Sequence, residues 1–141
     1  MTAGLLDTSV VVDLRRYAHQ SGVLPDMALV SAITLAEIVQ APLFATNASV
    51  RRARERLVLD VHRAFPEPLP FDMACVAAYR SVAAATVDAG RQTRRRTVDL
   101  LIAATAHAHG LPLYTRNRAD IDHLADLIQI IVPGSSTPGI A

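Results

Sequence analysis

An α/β fold, with a short and mainly parallel central sheet and helices on both of its faces, is what this sequence predicts. Three observations carry that expectation. Short hydrophobic runs at Leu5-Leu6, Ala28-Leu29-Val30, Leu111 to Thr115 and Leu127 to Ile131 alternate with longer helical patterns. That alternation is the mark of strands joined in parallel through helices. The chain is 51% hydrophobic with a formal net charge of +1, a composition that supports a buried core rather than disorder. At 141 residues it has the length of a single domain, expected over residues 1–132, with a Pro-, Gly- and Ser-rich tail over 133–141 expected to be flexible.

Taken in order, Leu5-Leu6 reads as a buried strand that ends where a helix begins, at the cap-type residues Asp7-Thr8-Ser9, although the β-branched Val10, Val11 and Val12 could prolong it. A second short strand is expected at Ala28 to Val30. Ser31 then caps a helix from Ala32 to Gln40, which Pro42 stops or bends. Residues 48–65 form a two-faced helix, with Val50, Leu57, Val61 and Phe65 opposite most of Arg51, Arg52, Arg54, Glu55 and Arg56. The proline-rich segment Phe65 to Pro70 is loop, with room for a brief strand at its end. Asp72 caps an apolar helix running to about Ala89 and closed by Gly90, and a basic connector, Arg91 to Arg96, follows. Thr97 opens a helix from Val98 to His109, closed by Gly110. A strand over Leu111 to Thr115, a helical turn over Asp120 to Asp126 and a last strand over Leu127 to Ile131 complete the pattern.

Composition removes several chemistries. All 14 basic side chains are arginine. Without lysine there is no P-loop and no Schiff base. No serine stands in a Gly-x-Ser-x-Gly elbow, and the lone Cys75 sits in an apolar run without activating neighbours. One cysteine permits no internal disulfide, which fits a reducing cytoplasm. No apolar run reaches a membrane span and no signal peptide is evident at the N-terminus. The five histidines show no zinc-ligand spacing and read as structural.

The acids are more informative. Ligands of parallel α/β sheets bind beyond the carboxyl ends of the strands. Asp7 stands at the end of the first strand. Glu37 lies among Ala36, Ile38 and Val39, where a carboxylate is partly buried and needs a partner. Asp99 falls in the first turn of an otherwise apolar helix, and Asn117 and Asp120 follow a late strand. Each has a structural explanation of its own, as an N-cap, an exposed helix position or a complement to the helix dipole. Together they fall near one end of the sheet. Carboxylates crowded there repel one another unless a hard divalent cation such as Mg²⁺ joins them, the arrangement of metal-dependent phosphodiester enzymes.

The segments Leu5-Leu6-Asp7-Thr8-Ser9-Val10, Thr34-Leu35-Ala36-Glu37, Asp99-Leu100-Leu101-Ile102-Ala103-Ala104-Thr105-Ala106 and Thr115-Arg116-Asn117-Arg118-Ala119-Asp120 resemble, in order, the four signatures of PIN domains. More specifically they resemble the VapC toxins of bacterial toxin–antitoxin modules. The resemblance runs from about residue 4 to 132. It implies a three-layer α/β/α fold and a Mg²⁺-dependent (or Mn²⁺-dependent) endoribonuclease held inactive by a cognate VapB-type antitoxin. Asp7 and Asp99 match the family's principal metal ligands and Glu37 its third acid, while Thr8 and Thr115 match supporting hydroxyl positions. Many members carry aspartate where this chain has Asn117; Asp120, three residues on, is the available carboxylate. That departure leaves open a different class of function, a PIN-like module that binds RNA or protein without cutting it.

Arg91, Arg94, Arg95 and Arg96 precede the helix of Asp99, and Arg116 and Arg118 flank the fourth segment. All six are candidate contacts for RNA phosphates. Arg51 to Arg56 suit a solvated face or an antitoxin contact. The apolar face near Met73 to Val87 suits burial, a homodimer or a toxin–antitoxin hetero-oligomer. A response-regulator receiver shares an acidic strand-end pocket but requires a lysine this chain lacks.

Overall fold

The computed structural model describes residues 1–135; the part of the expected flexible tail from 136 onward lies outside the described residues. Four parallel strands, β1 (Ala3–Leu6), β2 (Met27–Val30), β3 (Leu113–Tyr114) and β4 (Ile130–Ile131), form one sheet in the order β2-β1-β3-β4. Leu6 is in register with Val30 on one side and with Tyr114 on the other, and Tyr114 with Ile131.

Successive strand residues point to opposite faces, and the core divides accordingly. Leu5, Leu113 and Ile130 join Val82, Leu100, Ile102 and Ala103 on one face, where α5 (Met73–Asp88) and α6 (Thr97–Ala108) pack. Leu6, Val30 and Tyr114 join Val10, Val11, Tyr17, Ile38 and Val61 on the other. That second face is covered by α1 (Thr8–Val11), α2 (Leu14–Tyr17), α3 (Ala32–Gln40) and α4 (Ala48–Ala64). The result is a helix–sheet–helix sandwich, the three-layer α/β architecture.

Caps set several boundaries. Ser31, Asn47 and Asp72 each accept a hydrogen bond from the backbone N–H three residues on, at the starts of α3, α4 and α5. Gly90 and Gly110 have φ of +74° and +62°, the left-handed geometry that closes α5 and α6. Pro42 turns the chain into a 3₁₀ segment, Ala41–Phe44, directly after α3. The brief strand expected after the prolines reduces to one bridge between Ser31 and Leu69.

Other expectations need correction. The alternative that the valines prolong β1 does not hold: a helix starts after Asp7, as the cap-type residues indicate, and Val10 and Val11 are buried in it as part of α1. The third strand is only Leu113–Tyr114 and the fourth only Ile130–Ile131. The turn expected from Asp120 begins earlier, as α7 (Arg118–Ile121) continued by a 3₁₀ turn, Asp122–Leu124. No helix among the described residues is long and apolar enough to cross a membrane.

Candidate active site

The chain runs from β1 out to β2 on one side and returns to place β3 on the other side of β1. The strand order therefore reverses between β1 and β3. Just past their carboxyl ends, at that switch point, stand Asp7 and Thr115, tied by a bond from Asp7 N–H to the Tyr114 carbonyl at 2.8 Å. Asp7 is 8% exposed. Its Oδ2 accepts from Ser9 Oγ at 2.7 Å and from Thr115 Oγ1 at 3.0 Å. Asp7 has the extended backbone of a helix N-cap but makes no capping bond through its side chain. The two hydroxyls are fixed in turn: the Arg116 N–H donates to Ser9 Oγ and the Asn117 N–H to Thr115 Oγ1, both at 3.1 Å.

Glu37 comes from the second turn of α3. Thr8 Oγ1 donates to Glu37 Oε1 at 2.5 Å and stands 3.1 Å from the Thr34 hydroxyl, which belongs to the buried start of the same helix. Asp99, in the first turn of α6, lines a small recess with Asp7, Thr115, Asn117 and Asp120. Burial, then the charges of Asp7, Glu37 and Asp120, push the Asp99 carboxyl up to about 6, against which Arg96 gives a smaller downward pull. These are negative charges in excess of their counter-charge. The donors are all oxygen, which suits a hard divalent cation and no softer metal. No three acidic, histidine or cysteine side chains among the described residues stand close enough to enclose an ion by themselves. A cation that keeps several waters, as Mg²⁺ does, needs only one or two direct carboxylates.

Beside the recess opens a cleft of about 370 Å³ lined by Arg91, Gln92, Arg95, Arg96, Asp99 and Asp120. The acidic floor and the basic wall are thus contiguous through Asp99 and Asp120.

A family model described as the PIN domain matches residues 4–127, the span that contains every acid of this recess. The chain belongs to the PIN domain family. No curated protein matches it by sequence. Among solved structures, a member of the VapBC family of toxin–antitoxin systems, VapBC-5 from Mycobacterium tuberculosis, is 30% identical with a TM-score of 0.76, over 94% of this chain and 99% of that one. FitAcB from Neisseria gonorrhoeae is 28% identical with a TM-score of 0.73, over 92% and 96%. VapBC-1 from nontypeable Haemophilus influenzae shares the fold at 22% identity and a TM-score of 0.71, over 93% and 98%.

In this PIN domain the arginines expected on RNA divide into three groups. Arg116 is ion-paired with Asp13, and Arg118 reaches Asp122 at 3.1 Å and the Ile130 carbonyl at 3.0 Å. Both are engaged within the fold. Arg91 and Arg96 reach backbone oxygens of Ala119 and Asp120. Arg94 and Arg95 are exposed, and their guanidinium groups make no hydrogen bond or ion pair within the described residues. Two side chains missing from the sequence-level site are Ser9, which holds Asp7, and Thr34, which adjoins Thr8. The signal for Ser9 was the hydroxyl run directly after Asp7, and for Thr34 its place at the head of the Thr34 to Glu37 segment, one helical turn before Glu37. The histidines serve the fold where they bond at all: His107 Nδ1 lies 3.2 Å from the Leu127 carbonyl, and His123 Nε2 lies 2.9 Å from Thr86 Oγ1. Burial pushes the Cys75 thiol up, the opposite of an activated nucleophile.

Proposed function

We propose that this PIN domain is a Mg²⁺-dependent endoribonuclease, with Mn²⁺ as an alternative ion, and that it is the toxin of a toxin–antitoxin pair neutralised by a VapB-type antitoxin. The observation that supports it most is the acidic recess at the switch point, where burial and like charge hold the Asp99 carboxyl at about 6. Asp7 and Asp99 would hold the cation. Bound there, a divalent cation supplies polarisation of the scissile phosphate and activation of the attacking water. The chain's own residues orient the chemistry. Ser9 and Thr115 occupy Oδ2 of Asp7 and leave Oδ1 without a hydrogen bond among the described residues, available to a cation. Thr8 fixes one oxygen of Glu37, so its other oxygen can orient water and take up the proton released on attack. Asn117 offers a neutral amide to water or phosphate, and Asp120 supplies the further negative charge that Asn117 lacks.

The partner reading rests on the solved neighbours, which are VapBC and Fit complexes, one of them VapBC2 from Rickettsia felis bound to a promoter DNA fragment. A groove of about 650 Å³ between α1, α2 and α4 has an apolar floor of Val11, Leu14 and Leu57 and a charged rim that includes Arg54, Arg56 and Asp60. It suits an amphipathic segment of the antitoxin.

The test is cleavage of RNA by the purified chain in Mg²⁺ and in EDTA, with Asp7→Ala and Asp99→Ala alongside. Each variant is expected to lose at least about 100-fold in rate while keeping its fold, the scale of removing a group that acts on the developing charge. Undiminished cleavage by either variant sinks the assignment. RNA binding without cleavage in either ion would instead identify a non-cutting PIN module.

A further inference from the structure

We propose that Arg96, supported by Arg91, is a positioning residue that clamps Asp120 against Asp99, and that the phosphate-binding arginine of this cleft is Arg95. The proposal rests on the metal-site reading above and extends it to a clamp that would touch neither metal nor substrate and to the arginine beside it that would meet the RNA. Arg96 Nη1 donates to the Asp120 carbonyl at 2.9 Å and to its Oδ1 at 3.3 Å. Arg91 Nη1 donates to the carbonyls of Ala119 at 3.1 Å and Asp120 at 3.3 Å. These bonds fall on α7, a helix of four residues, far too short to hold its shape by its own hydrogen bonds. Something outside α7 has to set where Asp120 points.

The clamp is itself anchored. The Arg91 N–H donates to the Thr86 carbonyl at 3.0 Å, at the buried end of α5. Thr86 spends its single hydroxyl proton on the Val82 carbonyl at 2.9 Å, so the bond to His123 Nε2 must be donated by the ring. His123 thus carries a proton on Nε2, and it pins the far end of the same turn to the same threonine. Its Nδ1 is left buried without a partner. Burial and the charges of Arg91 and Arg96 favour the neutral form of the ring. The turn that carries Asp120 is thus fixed from both ends to α5 through Thr86. Arg95 stands apart: it lines the same cleft as Asp99, with no bond to the fold among the described residues. Its guanidinium donors are left for a phosphate bound in that cleft.

Two effects of removing Arg96 have opposite signs. Taking a positive charge away from a cation site tightens cation binding, whereas releasing Asp120 loosens it. The sign of the change therefore separates a positioning role from a merely electrostatic one. Mn²⁺ affinity, read by electron paramagnetic resonance on the full chain, is expected to fall about tenfold in Arg96→Met, the scale of losing an outer-shell partner. Arg96→Lys, which keeps a donor, should recover most of it. Arg96→Met in an Asp120→Asn background should cost little more, since the two act as one unit. Arg95→Gln should leave Mn²⁺ affinity in place and weaken binding of an RNA oligonucleotide in EDTA, with a shallower salt dependence. Folded Arg96→Met that binds Mn²⁺ as tightly as the parent overturns the clamp. Should that variant unfold, Arg96→Lys and Arg91→Met are judged by the same sign. A parent chain that binds no Mn²⁺, or binds it undiminished in Asp99→Ala, removes the metal site and the clamp with it; tight binding lost on Asp99→Ala but kept in Arg96→Met removes the clamp alone.

Discussion

Asp99 is a residue whose helix and whose neighbours pull in opposite directions. In the first turn of α6 the helix dipole favours its ionised form. Burial and the carboxylates of Asp7, Glu37 and Asp120 disfavour it more, and its carboxyl rises to about 6 from an ordinary 3.8. An acid raised in the folded state binds more protons there than in the unfolded chain. Its contribution to stability is then greatest below the unfolded value and is lost as pH rises through about 6. Asp99→Asn removes the charge for good. In EDTA it is expected to raise the melting temperature near neutral pH by on the order of 2–4 °C, allowing for solvent screening of a half-buried group. The gain should vanish toward about pH 4, where the parent is protonated too. A thermal scan that finds the variant no more stable at neutral pH would refute the crowding of charge at this recess. Divalent cation should reverse the order, stabilising the parent and not the variant.

At the scale of elements, the site depends on how closely β1 and β3 approach. A Cβ built on Gly4 would collide with Tyr114 Cε2 and lie 2.8 Å from its Cδ2, and Tyr114 is only 7% exposed. The ring cannot move without shifting the strand that delivers Thr115 to Asp7. Gly4→Ala is expected to cost about 1–3 kcal/mol in chemical denaturation, the range for overpacking a core, and to lower activity with it. Unchanged stability would mean that the ring has another place to go. Which elements were legible follows from similar local physics. The bounds of α3 could be read from Ser31 and Pro42, and the ends of α5 and α6 from Asp72, Gly90 and Gly110, because caps and stops act through neighbouring backbone. The helix start after Asp7 was announced by cap-type residues too, but its hold on Val10 and Val11 stayed open, since β-branched residues favour strands and packing with Leu6, Ile38 and Tyr114 decides otherwise. The helix Leu14–Tyr17 went unseen for a related reason: four residues carry too little periodicity to register. Strand lengths failed too. Leu111 and Leu127 are apolar yet pack beyond the ladder, so hydrophobicity overstated the hydrogen-bonded pairs.

For the whole molecule, a net charge of +1 hides a segregation that sequence order could only partly show. Asp7, Asp99 and Asp120 line one recess because a parallel sheet gathers its strand ends, so these acids, with Glu37, stood out as site candidates by their coincidence and not from any one segment. The arginines were harder to sort. Six looked alike in sequence, but whether a guanidinium is free depends on carbonyls brought near it from distant positions, as the Ile130 carbonyl is to Arg118 and the Ala119 carbonyl to Arg91. Of the six, only Arg94 and Arg95 keep their donors unspent among the described residues. Counterion release makes this division measurable. Each phosphate neutralised contributes roughly 0.7 to the slope of log affinity against log salt for single-stranded nucleic acid. Arg94→Gln with Arg95→Gln is therefore expected to flatten that slope by about 1.4 for an RNA oligonucleotide held in EDTA. Arg116→Gln with Arg118→Gln removes the same formal charge but should flatten it far less, because Asp13 and Asp122 already neutralise those two. Equal flattening by both pairs would show that the RNA responds to total charge rather than to the free guanidinium groups of the Arg91 to Arg96 connector.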